Sequence, residues 1–442
     1  MSALARYFVS IGKRVSGYDR TKTTLTEELS CSGFDIHYED DTHAIPGEFL
    51  DPDNTLVVFT PAVPSDHREL QYFRSNGFKI CKRAEVLGFI TKGKRAICVA
   101  GTHGKTTVTT MITWLMSQSK TGCKAFLGGI SKNFDSNFVN SDKSEFVVAE
   151  ADEYDRSFLR LHPEIAVITA IDADHLDIYG SGEELLKSFE VFISQIQNGG
   201  RLVIKYGIKP ELRNPDIDIY TYALKDKADF YAKNIRLING RYFFDVITPV
   251  EIIKDLSLAH PGLINIENAV AAVAVTTLAG LNRESIKKAL PEFSGIKRRF
   301  DFIYQTAEKV YIDDYAHHPR EIDAVIGSVR ELFPGKRILG IFQPHLYSRT
   351  RDFADEFAES LGKLDTLMLM DIYPARELPI EGVTSDIIFR EVKLDDKILV
   401  RKENLLQILD KKNIEVIITM GAGDIDTFCE PIKQLLIKKY GS

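Results

Sequence analysis

Residues 99–111 read VAGTHGKTTVTTM and join a run of apolar residues to a segment with helical spacing. The preceding run, RAICVA at 95–100, has the composition of a strand buried on both faces of a parallel sheet. A loop at the start of the following helix offers unpaired backbone N–H groups and the positive end of the helix dipole to a phosphate group. Gly101 and Gly104 would let the backbone approach that phosphate closely. This junction therefore predicts an α/β fold with a nucleotide site at the end of one strand.

The loop differs from the common phosphate-loop pattern at one position. The pattern G-x-x-x-x-G-K-[ST] would require glycine at position 99, where this chain has valine. Lys105 can nevertheless reach the β and γ phosphates, and the hydroxyl of Thr106 can bind Mg²⁺. The alternative is an ordinary glycine-containing turn before a core helix, but the position directly after a buried strand favours nucleotide binding. The predicted binding residues are Gly101, Thr102, His103, Gly104, Lys105, Thr106 and Thr107.

The bulk composition limits the classes of protein to which the chain can belong. With 442 residues it is long enough for two or three domains. The formal charge of −7 argues against a large nucleic-acid-binding surface. No apolar stretch approaches the roughly 20 residues that span a bilayer, and the five scattered cysteines suit buried thiols in a reducing compartment. We therefore expect a cytoplasmic protein with no nucleic-acid partner and no membrane insertion.

Apolar runs divide the chain into three α/β regions. Residues 1–93 alternate short strand and helix patterns, as a small α/β domain would. In residues 94–295, nearly continuous apolar runs are separated by helix-length segments, which is typical of a parallel sheet covered on both faces. The basic tract FSGIKRRFDF marks the boundary to residues 296–442, where further apolar strands alternate with helices. The strand candidates of the second and third regions are RAICVA, EFVVAE, EIAVITAID, RLVIKY, KVYIDDY, RILGIF, DTLMLMDIY and VIITMGAGD.

Acidic side chains and one histidine follow two of these predicted strands. The strand EFVVAE ends at Glu150, and parallel sheets bind their ligands at the carboxyl ends of the strands. A glutamate and the Thr106 hydroxyl supply the hard oxygen ligands that Mg²⁺ prefers. His175, in AIDADHLDIYG, follows the next strand and is a candidate second metal ligand. The alternatives are a solvated acidic turn for Glu150 and a structural role for the histidine.

Eight motifs resemble, in sequence and in order, those of the Mur ligases of peptidoglycan synthesis. They are GTHGKTT, EADEYDRSF, DADHLDIYG, HPGLINIENAVAA, GIKRRF, DDYAHHP, FQPHLYSRTRDF and GAGD, and the resemblance covers essentially the whole chain. A phosphate loop without its first glycine is the form found in that family. The resemblance implies a Rossmann-like N-terminal domain for a UDP-sugar, a central ATPase domain with a mainly parallel sheet, and a Rossmann-like C-terminal domain that brings the amino acid.

The resemblance also implies a reaction, and it is strongest to the branch that joins L-alanine to UDP-N-acetylmuramate. ATP phosphorylates the substrate carboxylate, the amine of alanine attacks the resulting acyl phosphate, and phosphate leaves. Lys105 and two Mg²⁺ ions would hold the reacting anions together, with Thr106 and Glu150 on one ion and His175 on the other. The implied partners are these two small substrates. We expect the chain to be a monomer or weak dimer.

Four residues at the nucleotide come from the resemblance alone. Asn265 and Asn268 match asparagines on the adenine side of ATP, although a polar helix start would also explain them. Arg299 and Asp314 match residues that hold the nucleotide from the C-terminal domain. Each of these two has a neighbour of the same type, so the choice between Arg298 and Arg299, and between the two successive aspartates, stays open.

Three further residues, in the last third of the chain, match positions on the amino-acid side of the site. His318, His345 and Arg349 match residues near the incoming amino acid and the substrate carboxylate. An arginine suits a carboxylate because its planar guanidinium bonds both oxygens. Without the resemblance, PHLYSRTR would be merely a polar loop. The predicted catalytic residues are Lys105, Glu150, His175, His318, His345 and Arg349.

The N-terminus departs from the family pattern. Relatives begin with a strand and a glycine-rich turn before the helix that matches SALARYF, whereas here Met1 coincides with the methionine that closes that turn. We expect the first domain to lack its first strand and the loop for the UDP diphosphate, and we expect the native start to lie upstream. Three alternatives in function remain: a recycling ligase that joins UDP-N-acetylmuramate to a preformed tripeptide, a non-catalytic nucleotide-binding relative, and a folate-polyglutamating ligase, which would not explain DDYAHHP.

Overall fold

The computed structural model describes residues 1–141, 144–171, 181–225, 227–375 and 377–441, except for the side chains of Thr24 and Asp155. The chain divides into two compact units. The first comprises Met1–Arg236, Phe243–Ser257 and Ile266–Phe293, and the second comprises Leu237–Tyr242, Leu258–Asn265 and Ser294–Ser442.

The N-terminal region of the first unit is built from short helices and strands. They are α1 (Ser2–Ser10), β1 (Ser16–Tyr18), α2 (Thr24–Cys31), β2 (Asp35–His37), β3 (Leu56–Phe59), α3 (Arg68–Ser75), β4 (Lys79–Lys82) and α4 (Arg83–Thr91). Among the described residues here, the strands form two separate parallel pairs, β1 with β2 and β3 with β4. Leu4, Cys81 and Val86 pack against Phe126 and Val147, so one apolar cluster joins this region to the central sheet.

The central sheet, which lies mostly in the first unit, has ten strands among the described residues and is covered by helices. Its elements are β5 (Arg95–Ala100), α5 (Lys105–Ser117), β6 (Lys124–Ser131), β7 (Ser136–Val139), β8 (Phe146–Glu150), β9 (Ile165–Ile168), α6 (Gly182–Ser194), β10 (Arg201–Lys205), β11 (Asp218–Ala223), β12 (Phe230–Ile238), β13 (Arg241–Ile247), β14 (Ile252–Leu258), α7 (Leu263–Leu278) and α8 (Arg283–Ala289). The strand order is β14-β13-β12-β11-β10-β9-β5-β8-β6-β7.

The phosphate loop begins in the middle of this sheet. β5 lies between β8 and β9 and is parallel to both, so the carboxyl ends of all three strands meet at one edge. The predicted parallel pairing of the apolar runs at β5, β8, β9 and β10 is confirmed. Residues 269–275 of α7 are completely buried, which fits a helix that is apolar on every side.

The strands β11–β14 extend the sheet beyond the part that the sequence predicts. Each of β11, β12 and β14 mixes buried and exposed residues. A strand with one exposed face carries polar residues between its apolar ones and has no continuous apolar run. For that reason the search for continuous apolar runs in residues 94–295 predicted the strands that are buried on both faces and missed β11–β14.

The second unit contains a six-stranded sheet with helices on both faces. Its elements are β15 (Asp301–Gln305), β16 (Val310–Asp314), α9 (Pro319–Leu332), β17 (Ile338–Phe342), α10 (Tyr347–Asp352), α11 (Ala354–Leu361), β18 (Thr366–Met370), α12 (Asp386–Glu391), β19 (Lys397–Val400), α13 (Leu405–Asp410), β20 (Val416–Met420) and α14 (Cys429–Tyr440). The order is β15-β16-β20-β17-β18-β19, with β15 antiparallel to β16 and the remaining strands parallel.

The direction of the connections decides which face each helix covers. The steps from β16 to β17, β17 to β18 and β18 to β19 run one way along the sheet, and α9, α11 and α12 pack on one face. The step from β19 to β20 runs back, and α13 and α14 pack on the opposite face. This is what right-handed crossovers require. The loops after β18 and β19 therefore diverge to opposite faces and leave a crevice at the carboxyl edge.

Two smaller features follow from the sequence composition. No helix in the described ranges is long and apolar enough to cross a membrane. Cys81, Cys98 and Cys123 are buried free thiols, and burial raises the pKa of Cys123 to about 12. The Cys123 thiol is therefore unreactive, since the thiolate is the nucleophilic form.

Candidate active site

Two glycines and the end of the neighbouring strand hold the phosphate loop in shape. Gly101 has φ of +133°, and a Cβ there would lie 2.2 Å from the Thr169 hydroxyl oxygen and 2.7 Å from the Ala170 nitrogen. Gly104 is left-handed, with φ of +80°, and stands directly before α5. The Thr169 hydroxyl donates a hydrogen bond to the carbonyl of His103. Only glycine fits both loop positions, because a side chain would meet the strand end or adopt a strained backbone.

The remaining loop residues continue this arrangement. The backbone N–H of Thr102 donates to the carbonyl of Ala170 at 3.0 Å. Thr107 lies in the first turn of α5, where the first backbone N–H groups have no partner within the helix. Thr169 was not predicted as a loop residue. Its position directly after β9, whose carboxyl end adjoins that of β5, was the available signal.

Lys105 is held by a buried carboxylate. Its Nζ donates to Glu153 Oε1 and to the carbonyl of Gly101, each at 2.7 Å, and the Glu153 side chain is fully buried. Burial alone would lower the pKa of Lys105, but the carboxylates of Glu153, Glu150 and Asp152 outweigh it and raise that pKa. An ammonium group has three N–H bonds, so two are used here and one remains for a phosphate oxygen.

The predicted metal ligands Thr106 and Glu150 lie in contact. The Thr106 hydroxyl donates to Glu150 Oε1 at 3.1 Å, between the start of α5 and the end of β8. Mg²⁺ takes few protein ligands and completes its shell with water and phosphate oxygens, so a hydroxyl and a carboxylate fit it. The described ranges contain no group of three or more His, Cys, Asp or Glu side chains that could enclose a metal ion. His175 lies outside the described residues, and its role stays a prediction.

Gly128 on β6 leaves room for the Glu150 carboxylate. A Cβ at Gly128 would lie 2.1 Å from Glu150 Oε2. We therefore expect Gly128→Ala to displace this carboxylate and to raise the Mg²⁺ concentration needed for half-maximal activity by about tenfold, on the scale of a lost ligand-orienting contact. Gly327→Ala is the matched control, because a Cβ at Gly327 meets nothing within 4 Å. An unchanged Mg²⁺ dependence in the Gly128 variant would contradict this placement of the metal.

The two predicted asparagines lie in the same helix but in different surroundings. Asn268 is buried, and its Oδ1 lies 2.9 Å from the position that a Cβ of Gly104 would take. Its side chain therefore borders the phosphate loop. Asn265, in the first turn of α7, donates from Nδ2 to the carbonyl of Pro261 at 2.6 Å. That local bond fits the alternative of a polar helix start for Asn265.

In the second unit, Arg298 is committed to structural contacts. It is left-handed at φ of +65° and donates from Nη2 to the carbonyl of Gly421 at 2.6 Å. Its Nε lies 3.4 Å from the buried carboxylate of Asp313, and Nη1 lies 3.2 Å from Asp426. Burial raises the pKa of Asp313, with Arg298 and the Thr419 hydroxyl acting against it. Arg298 therefore neutralises a buried carboxylate.

Arg299 and Asp314 are placed differently from these neighbours. The Arg299 guanidinium lies 5.0 Å from the ring centroid of Tyr315 and makes no hydrogen bond or ion pair within the part of the chain that the structure describes. Asp314 accepts from the backbone N–H groups of Phe300 and Ala316, both at 2.7 Å. Burial raises the pKa of Asp314 to about 7, opposed by Arg299 and by these two N–H groups. Of the two arginines, Arg299 is thus the one available to a ligand.

Histidines form a cluster after β16 and β17. The ring of His345 stacks on Tyr373 at 5.9 Å, and the ring of His317 lies 6.0 Å from His345. Burial lowers the pKa of His317, with the Arg349 charge adding to this and Glu321 opposing it. At neutral pH His317 is therefore an uncharged imidazole that can accept a proton.

The other two predicted residues of this region have separate surroundings. His318 stands before α9, and its ring meets the edge of Phe353 at 4.9 Å. The Arg349 guanidinium makes no hydrogen bond or ion pair with any described residue, which leaves its fork for a carboxylate. The sequence analysis named His318 as a site residue and did not name His317. The one signal for His317 was its place beside His318 in the histidine pair of DDYAHHP.

Comparison with known families gives the class of this protein. The model described as "Mur ligase family, catalytic domain" matches residues 1–95, "Mur ligase middle domain" matches residues 99–276, and "Mur ligase, glutamate ligase domain" matches residues 298–423. The chain belongs to the Mur ligase family and is an ATP-dependent, ADP-forming, amide-forming enzyme. The predicted fold class and family are confirmed.

Individual relatives narrow the comparison. The UDP-N-acetylmuramate–L-alanine ligase of Parabacteroides distasonis is 54% identical over 99% of this chain and 95% of its own length. The ligase of the same name from Porphyromonas gingivalis is 51% identical over 99% of this chain and 96% of its own. The crystal structure of UDP-N-acetylmuramate-alanine ligase from Thermotoga maritima superposes with a TM-score of 0.84 at 27% identity, covering 99% of this chain and 97% of that one. A murein peptide ligase from Psychrobacter arcticus shares the fold, with a TM-score of 0.69 at 19% identity over 98% of this chain and 95% of that one.

Proposed function

We propose that this protein joins L-alanine to the carboxylate of UDP-N-acetylmuramate, with ATP converted to ADP and phosphate, in the synthesis of peptidoglycan precursors. One observation carries the proposal: relatives of this name match 99% of the chain at up to 54% identity. The phosphate loop supports it, since Lys105 and the Thr106–Glu150 pair lie at one sheet edge. We further propose three domains at 1–93, 94–295 and 296–442, supported by family matches that end and begin near these boundaries.

The residues of the first unit serve the phosphoryl step. The sugar carboxylate attacks the γ phosphorus, and two groups of like charge must be brought together. Lys105, kept protonated by Glu153, offers its remaining N–H to the phosphates. Thr106 and Glu150 would hold Mg²⁺, which when bound neutralises charge on the phosphates. Asn268 borders the loop and limits how the nucleotide can lie.

The residues of the second unit serve the amino acid and the nucleotide. Arg349 has a fork-shaped group suited to the alanine carboxylate. The amine of alanine must lose a proton before it can attack the acyl phosphate, and His317, held neutral beside His345, can accept that proton. Arg299 is available to a nucleotide phosphate or ribose.

Two physiological features complete the proposal. The protein works in the cytoplasm, which agrees with the buried free thiols of Cys81, Cys98 and Cys123. It acts as a monomer or weak dimer, which light scattering after size-exclusion chromatography would measure.

The substrate assignment is tested by measuring phosphate release from ATP in the presence of UDP-N-acetylmuramate and Mg²⁺. We expect release to depend on added L-alanine and to remain at background when the tripeptide L-Ala-γ-D-Glu-diaminopimelate is supplied instead. Release that requires the tripeptide would assign the recycling activity. Nucleotide binding without release under either condition would assign a non-catalytic relative.

A further inference from the structure

Arg83 brings a further positive charge to the segment that holds the phosphate loop. It is the first residue of α4, directly after β4, and its Nη2 lies 3.6 Å from Asp152 Oδ2. Asp152 lies shortly after β8 and directly before Glu153, the residue that binds Lys105. Against the effect of burial, the charge of Asp152 joins that of Glu153 in raising the pKa of Lys105. Arg83 is therefore tied to the segment that holds the phosphate-binding lysine.

The contact with Asp152 leaves most donors of Arg83 unused. A separation of 3.6 Å is longer than a hydrogen bond, and the Arg83 side chain makes no other ion pair or hydrogen bond with any described residue. Arg95 shows the opposite case at the same exposure, 42% for each side chain, since it makes three hydrogen bonds of 2.6–3.2 Å to Glu164. Arg95 is thus engaged by a carboxylate of the protein, whereas Arg83 has N–H groups left for a ligand.

The proposed reaction requires a cation for the sugar carboxylate as well as for the phosphates. The carboxylate must approach the γ-phosphate, and the two anions repel each other. The remaining N–H of Lys105, and a Mg²⁺ ion on Thr106 and Glu150, would bind the phosphates. A guanidinium near them suits the carboxylate, because its planar fork matches the two oxygens.

We propose that Arg83 binds the carboxylate of UDP-N-acetylmuramate and presents it to the γ-phosphate, an inference that rests on the proposed function. Arg83 and Asp152 both lie in the first unit and join the proposed sugar domain to the end of β8. Asp152 is itself held, because its Oδ1 accepts from the backbone N–H of Tyr154 at 3.1 Å while its Oδ2 faces Arg83. Arg83 would thus select sugars that carry a carboxylate.

The test is calorimetric titration of the full chain with two UDP-sugars, in the presence of Mg²⁺ and a non-hydrolysable ATP analogue. UDP-N-acetylmuramate has the carboxylate, whereas UDP-N-acetylglucosamine lacks the lactyl group that carries it. We expect Arg83→Ala to raise the Kd for UDP-N-acetylmuramate about tenfold, the scale of a hydrogen bond between charged groups, and to leave the Kd for UDP-N-acetylglucosamine unchanged. Arg83→Lys keeps the charge but not the fork, so its Kd should lie between those of the parent and the alanine variant.

Arg160→Ala is the matched control, because Arg160 also forms a loose ion pair with α4, at 3.8 Å from Glu85. It should leave both Kd values unchanged, and neither alanine variant should alter the thermal unfolding midpoint, since such ion pairs contribute little to stability. Equal weakening of both sugars by Arg83→Ala, or weakening of neither, would overturn the inference alone. A parent chain that binds neither sugar would overturn the proposed function together with it.

Discussion

Replacing Lys105 with alanine is expected to lower kcat/KM for ATP by about 10³-fold or more, the scale on which cationic groups act in phosphoryl transfer. Its Nζ is the ammonium held at the loop by Glu153 and by the Gly101 carbonyl. Steady-state phosphate release at varied ATP measures the effect. Lys187→Ala is the matched control, since Lys187 is exposed and forms a surface ion pair with Glu184 among the described residues, and its variant should keep full activity.

Replacing Lys105 should also lower the free energy of unfolding, so the experiment must separate lost stability from lost catalysis. Without the ammonium, the fully buried carboxylate of Glu153 loses the positive charge that opposes its own, and breaking comparable buried pairs costs about 3–5 kcal/mol. The double variant Lys105→Ala/Glu153→Gln removes both charges and should recover much of the lost free energy of unfolding while remaining inactive. Activity above about a tenth of the parent in the single variant would show that Lys105 does not carry the phosphoryl step.

Replacing Arg298 with alanine should lower the free energy of unfolding by about 3–5 kcal/mol, because it leaves the buried Asp313 carboxylate without its counter-charge. It also removes the donors to the carbonyls of Gly421 and Gly423. Urea denaturation followed by circular dichroism measures the change. The variant Arg298→Ala/Asp313→Asn should recover part of the loss, since an amide costs less to bury than an unpaired carboxylate.

The adjacent residue supplies the control for this prediction. Arg299→Ala should lower the free energy of unfolding by less than Arg298→Ala does, because Arg299 makes no hydrogen bond or ion pair in the described chain and favours the buried Asp314 carboxylate only through its charge. It should instead raise the KM for ATP. Equal losses of stability in the two variants, or an unchanged KM in the Arg299 variant, would show that the roles of the two arginines are not divided in this way.

The sequence predicted those strands and helices whose position depends on the spacing of neighbouring apolar residues. The apolar run before Gly101 and the helical spacing after Lys105 predicted β5, the loop and α5, because strand burial and helix periodicity are properties of neighbouring residues. The same reasoning found the parallel strands β16, β17, β18 and β20 of the second unit. It did not find β14, whose exposed residues interrupt the apolar pattern.

Contacts between distant segments were beyond the reach of pattern reasoning. The Lys105–Glu153 pair joins residues that are 48 positions apart, and nothing in EADEYDRSF distinguishes the carboxylate that reaches the lysine. The choice between Arg298 and Arg299 likewise depends on a distant segment. Arg298 donates a hydrogen bond to the carbonyl of Gly421, which lies 123 positions further along the sequence. For His317, the deciding fact was the approach of His345 from another loop.

In the proposed reaction, ATP phosphorylates the substrate carboxylate directly, and L-alanine then captures the acyl phosphate. This reaction is tested most directly by running the phosphate-release assay with UDP-N-acetylmuramate whose carboxylate carries heavy oxygen, and by analysing the released phosphate by mass spectrometry. With L-alanine present, we expect each released phosphate to carry one heavy oxygen from the carboxylate. Released phosphate without heavy oxygen, with or without alanine, would have taken its fourth oxygen from water; it would show that the chain hydrolyses ATP without forming the acyl phosphate.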